Sequence, residues 1–159
     1  MKRSLIVLAL VLCTAVSGPL WAQENPFGGT WKLNTAKSKF EPGPGPKSMT
    51  RTIVAQGAGA SYSFEGVGAD GASIAYSFST NYDGKDSAIT GAGAPGGANT
   101  IALKRVNSRK VEGSLKKDGK EVGKVVAEVS NDGKVSTVKA KGKTGDGKEF
   151  SAESVYDKQ

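Results

Sequence analysis

Gly28-Gly29-Thr30-Trp31-Lys32-Leu33 is the stretch from which the rest of this chain is read. Thr30, Trp31 and Leu33 favour an extended strand, and Gly29 lets the backbone turn tightly into it. A tryptophan at the mouth of a first strand is placed to plug one end of a closed β-structure. Everything downstream reads as short strands separated by glycine-rich turns.

The clearest alternation runs from Ala72 to Asn81. Ile74, Tyr76 and Phe78 point one way; Ser73, Ala75, Ser77 and Ser79 point the other. A period of two is the signature of a strand with unlike faces. Met49 to Gln56 and Ser61 to Val67 precede it as strands, with Tyr62 and Phe64 sharing a face. Further strands are expected at Asp86–Thr90, Asn99–Val106, Lys110–Lys116, Glu121–Val129, Lys134–Lys141 and Lys148–Lys158. Asp-Gly pairs mark tight turns at positions 70, 83, 118, 132 and 146. The even spacing of the last three predicts hairpins in which each strand pairs with the next. Two segments resist regular structure: the Pro-Gly run from Glu41 to Pro46, and the glycine-rich run from Gly91 to Ala98. The second lacks the Lys and Ser/Thr of a phosphate loop. No helical period is visible after residue 23.

The expected fold is all-β: an antiparallel up-and-down meander of about ten strands, closed into a barrel. Closure removes the two edges that so long a meander would expose. A two-sheet sandwich is the alternative. A barrel of eight or more strands has room inside for side chains or one small ligand.

Upstream, Lys2 and Arg3 precede an apolar run from Leu5 to Val16, and Leu20-Trp21-Ala22 offers a small-residue cleavage site. The run falls short of the roughly 20 residues that span a bilayer. Residues 1–22 are therefore predicted to be a signal peptide, and 23–159 a single domain that is periplasmic or secreted. Cys13 follows bulky Leu12 inside the apolar run, which argues against a lipoprotein signal. The remaining domain has neither cysteine nor histidine. It therefore lacks disulfides, the commonest zinc ligands and the imidazole of the common triads. No cofactor, no metal and no enzymatic activity are expected.

The formal charge is +7, and the excess left after the leader lies wholly in residues 98–159. It suggests weak contact with an anionic envelope surface. The competing explanation is solvated strand faces whose lysines discourage edge pairing. Aromatics and lysines fall in different segments, so no nucleic acid is expected as a partner. Asp83 and Asp86 fall short of a calcium shell. Nothing brings Glu65 and Asp70 together as a hydrolytic pair.

The candidate ligand-lining residues are Trp31, Phe64, Tyr76, Phe78, Phe150 and Tyr156. The competing roles are a barrel floor for Trp31 and a packed core for the others. Tyr76 and Tyr156 need hydroxyl partners if buried, so each can orient a polar ligand group. Arg51 is the candidate cation for an anionic head, with an outer strand face as its alternative position.

Gly29-Thr30-Trp31-Lys32-Leu33 resembles the first-strand Gly-x-Trp signature of lipocalins, fatty-acid-binding proteins and related calycins. Val155-Tyr156-Asp157-Lys158 resembles the last strand of the fatty-acid-binding group. These motifs cover about ten residues. The resemblance implies a barrel whose two chain ends meet and, taken with the predicted leader, an exported lipocalin-like binding protein for a small apolar or amphipathic molecule. Two features depart from it. The family's helical lid gives way to the Pro-Gly loop. The arginine that the family places two residues before the final tyrosine is Ser154 here. Gly29 to Ser48 and Tyr82 to Asp86 also resemble a group of small exported bacterial proteins of unestablished function. A structural or interaction protein of the cell envelope, with a packed core and a basic surface, is the alternative reading.

Overall fold

A computed structural model describes residues 25–144 and 146–159. The predicted signal peptide, with Cys13, lies outside the described residues. Within them the alternating segments form twelve strands: β1 (Gly29–Leu33), β2 (Lys39–Glu41), β3 (Ser48–Gln56), β4 (Gly59–Val67), β5 (Ser73–Thr80), β6 (Asp83–Ala88), β7 (Thr90–Ala92), β8 (Thr100–Asn107), β9 (Lys110–Lys117), β10 (Lys120–Val129), β11 (Val135–Lys143) and β12 (Glu149–Lys158). One 3-10 turn, Pro95–Gly97, follows β7.

The strands make a single antiparallel sheet in the order β6-β8-β9-β10-β11-β12-β1-β3-β4-β5-β7, with β2 added alongside β12. The two chain ends meet, as Leu33 lies opposite Tyr156 and Trp31 opposite Lys158. The two ends of the path, β6 and β7, are consecutive in the chain. Residues 83–88 pair with β8, and beyond Ile89 residues 90–92 pair with β5. By changing partner along its length this segment nearly closes the cylinder. The result is the expected barrel and not the two-sheet sandwich. The strands beyond the expected ten include β2 and β7, each of three residues. They lie in stretches that look irregular in sequence.

The turn at Asp118-Gly119 falls where expected, with both residues at positive φ (50° and 77°). This is the geometry that matches the twist of a two-residue hairpin. Asp83-Gly84 behaves otherwise. The chain reverses at Asn81-Tyr82, and Asp83 opens β6 at an irregularity in its pairing. Tyr82 holds a φ of 56°, unfavourable for its side chain. Tertiary contacts impose it. The Tyr82 hydroxyl lies 2.7 Å from that of Tyr62, its N–H donates to Thr80 Oγ1 at 3.1 Å, and the Arg105 guanidinium covers its ring at 4.2 Å.

Strands β8 and β9 approach so closely that a Cβ on Gly113 would sit 1.8 Å from the Ala102 carbonyl oxygen. Backbone cannot yield as a flexible side chain can. Gly113→Ala is expected to cost about 3 kcal/mol, read as a lower denaturant midpoint at unchanged slope. A midpoint within error of the parent's would refute the close approach.

One buried apolar cluster runs through the barrel interior, from Phe27 and Trp31 to Leu115 and Tyr156. Trp31 and Phe27 are wholly buried, and the indole N–H of Trp31 donates to the Phe27 carbonyl at 2.8 Å. On the outside, lysines pair with acids, as Lys110 with Glu128 at 2.7 Å and Lys116 with Asp86 at 2.6 Å. Such exposed pairs add little stability.

Candidate functional site

The barrel encloses a cavity of about 250 Å³. Its lining follows from which side chains each strand turns inward. Strands β4 and β5 turn Tyr62, Phe64, Tyr76 and Phe78 inward, so one wall is aromatic. Beyond the β6–β7 segment, β8 and β9 supply Ile101, Leu103, Val111 and Leu115, so that part of the lining is aliphatic. Phe40 and Met49, with Pro46 and Pro95 from the two irregular loops, also line it. The Phe40 ring packs so tightly on Gly45 that a Cβ there would fall 2.0 Å from it.

Arg51 breaks the apolar pattern. On β3 the inward residues are Met49, Arg51 and Ile53, while Thr50, Thr52 and Val54 alternate with them. The side chain is 2% exposed. Its guanidinium carbon lies 4.5 Å from the centre of the Tyr156 ring and 5.5 Å from that of Trp31, so two π-faces hold it in place. Nε and Nη2 are buried with no hydrogen-bond partner. Arg51 takes part in none of the six ion pairs among the described residues. Desolvation pushes its pKa down, and the nearby tyrosines, Tyr156 foremost, act in the opposite sense. An arginine nonetheless stays charged at ordinary pH. A cation with free donors thus sits in an apolar cavity.

Two tyrosines add polar character beside it. Burial pushes the Tyr156 hydroxyl up, opposed by Arg51 and by the Ser154 hydroxyl. Tyr156 donates to the Met49 sulfur at 3.0 Å, and a thioether is a weak acceptor. Burial raises the Tyr76 pKa strongly as well, so this phenol is neutral and can donate.

Five of the residues singled out from sequence therefore meet around one space: Arg51, Phe64, Tyr76, Phe78 and Tyr156. Trp31 and Phe150 lie outside its wall, a correction to their listing as lining residues. Trp31 is wholly buried with its indole N–H on the Phe27 carbonyl. Phe150 shares the inward register of Ala152, Ser154 and Tyr156, but it sits at the rim. There its ring edge would be 3.0 Å from a Cβ on Gly96. Tyr62 was missing from the candidate lining, although its alternation with Phe64 carries the same signal. The arginine expected two residues before Tyr156 is absent, and Ser154 holds that place; Arg51 reaches the same tyrosine from β3.

Among the described residues no group of three or more His, Cys, Asp or Glu is placed to hold a metal. No helix there is long and apolar enough to cross a membrane.

No family model matches this chain, and no curated protein does. Solved structures do match. One is the zebrafish ileal bile acid-binding protein, complexed with cholic acid. It shares 13% identity with this chain over 84% of this chain and 99% of that one, with a TM-score of 0.51. At that identity the likeness is one of architecture, and it establishes a calycin-like fold.

Proposed function

We propose that this protein is an exported binding protein, periplasmic or secreted, that takes a small amphipathic anion into its barrel with the charged head on Arg51. The observation that carries the reading is the buried guanidinium with unpartnered donors. Burying a charge without a partner is expensive, and nothing in the packing of this barrel requires one there. A carboxylate would accept from the free donors, with the Tyr76 and Tyr156 hydroxyls within the same apolar enclosure. The likeness to a bile acid-binding barrel supports the general mode. The cavity volume, below the 300–1,000 Å³ usual for drug-sized ligands, argues for something smaller.

Calorimetric titration of ligand-free protein with small carboxylates and with the alcohols of the same carbon skeletons tests the charge requirement. At neutral pH the acids are expected to bind at least about tenfold more tightly. Their advantage should fade as pH falls through the free carboxylate range near 4 to 5, where the head loses its charge. Equal affinity for acid and alcohol at pH 7 would sink the proposal.

A further inference from the structure

The aromatic wall is built from cross-strand partners. Trp31, Arg51, Phe64 and Tyr76 are successive neighbours in one row across β1, β3, β4 and β5. Ile53, Tyr62 and Phe78 form the next row. The Phe64 and Tyr76 rings are 4.4 Å apart and 11° from parallel; those of Tyr62 and Phe78 are 4.7 Å apart and 13° from parallel. These separations match the spacing of the strands that carry them. The rings therefore stand upright side by side, stacked on one another, with their edges toward the lumen.

That orientation has an electrostatic consequence. An aromatic ring is negative on its face and positive at its edge. One face of each ring is taken up by its stacked partner, and the upright rings turn electropositive edges to the lumen beside a guanidinium. The complementary group is an electron-rich π-face next to an anionic head. An alkyl chain fills space there but offers no such face. Because Phe64 follows Arg51 directly in the row, the ring to be matched lies immediately beyond the head. A volume of about 250 Å³ favours a compact, rigid ligand, which also loses little entropy on binding.

We infer that the ligand class is a compact planar aromatic carboxylate, with its ring against the edges of Phe64, Tyr76, Tyr62 and Phe78 and its carboxylate on Arg51. This rests on the anion-binding reading above and narrows it to one chemistry.

Naphthoate and undecanoate separate the two levels, since both have eleven carbons and one carboxylate. In titrations of the parent protein, naphthoate is expected to bind at least about tenfold more tightly than undecanoate. Phe64→Leu is expected to weaken naphthoate about five- to tenfold and to leave undecanoate within about twofold. Undecanoate binding as tightly as naphthoate, or tighter, would overturn the aromatic inference and leave the anion-binding reading standing. Equal losses for both acids in Phe64→Leu would remove the rings as the source of the preference and overturn the inference in the same way. Should neither acid bind better than its alcohol, the anion-binding reading falls and the aromatic inference with it.

Discussion

Replacing Arg51 with methionine is expected to raise the melting temperature of the ligand-free protein while abolishing its preference for carboxylates. The two effects share one cause. In the empty barrel the guanidinium has left water and gained no carboxylate, and its lowered pKa expresses that penalty. The sign is clear: a base whose folded pKa lies below its unfolded value destabilises the fold wherever it is charged, which covers every ordinary pH. The effective cost of such a buried ion is several kcal/mol. The faces of Tyr156 and Trp31 return up to about 2 kcal/mol each. A net gain of about 1–2 kcal/mol is therefore expected on replacement, or roughly 3–8 °C. Methionine suits the site because its unbranched, flexible chain fills the same channel without a charge. Differential scanning fluorimetry and titration on one sample check both halves. A lower melting temperature would mean that Arg51 is structural after all. Undiminished carboxylate affinity would place the anion site elsewhere. A residue that weakens the empty protein yet is needed once a ligand enters is difficult to explain as packing alone.

The sequence leaves Arg51 open between the interior and an outer strand face, the commoner place for an arginine. Read two residues at a time, Met49-x-Arg51-x-Ile53 puts it in step with apolar neighbours, and the register confirms the step, with Arg51 opposite both Phe64 and Trp31. Strand period and hairpin turns depend on local chemistry, so the β3–β4–β5 meander and the Asp118-Gly119 hairpin were readable directly. Asp83-Gly84 misled because contacts from distant residues, Tyr62 and Arg105, fix Tyr82 in a left-handed turn and outweigh the glycine two positions on. Phe150 misled for a different reason. Its register is inward, but depth along the barrel axis is set by where β12 begins, and periodicity carries no information about depth. Tyr62 shares the face of Phe64 in the sequence pattern, while the commitment of its hydroxyl to Tyr82 appears only in the folded protein.

Trp31→Ala is expected to cost about 3–5 kcal/mol, the range for removing a large aromatic from a packed interior. Three losses coincide at this position. The indole is wholly buried, so truncation leaves a void in the core. The Phe27 carbonyl loses the donor it accepts from at 2.8 Å. Two cations lose a π-surface, since Lys158 Nζ lies 5.2 Å from the ring centre in addition to Arg51. The location magnifies the damage, because β1 is the strand through which the two chain ends close the cylinder, and Trp31 is paired to β3 on one side and β12 on the other. Domains of this kind hold about 5–15 kcal/mol in all, so the variant should unfold at much lower urea, followed by circular dichroism. Trp31→Phe separates the parts. It keeps a ring over Arg51 but lacks the N–H donor, and a loss of about 1–2 kcal/mol is expected. Because Trp31 is not among the residues that line the cavity, the phenylalanine variant should still bind small carboxylates within about threefold of the parent. A change of less than about 1 kcal/mol in the alanine variant would show that other residues hold this part of the core. Lost binding in a well-folded phenylalanine variant would return Trp31 to the ligand site.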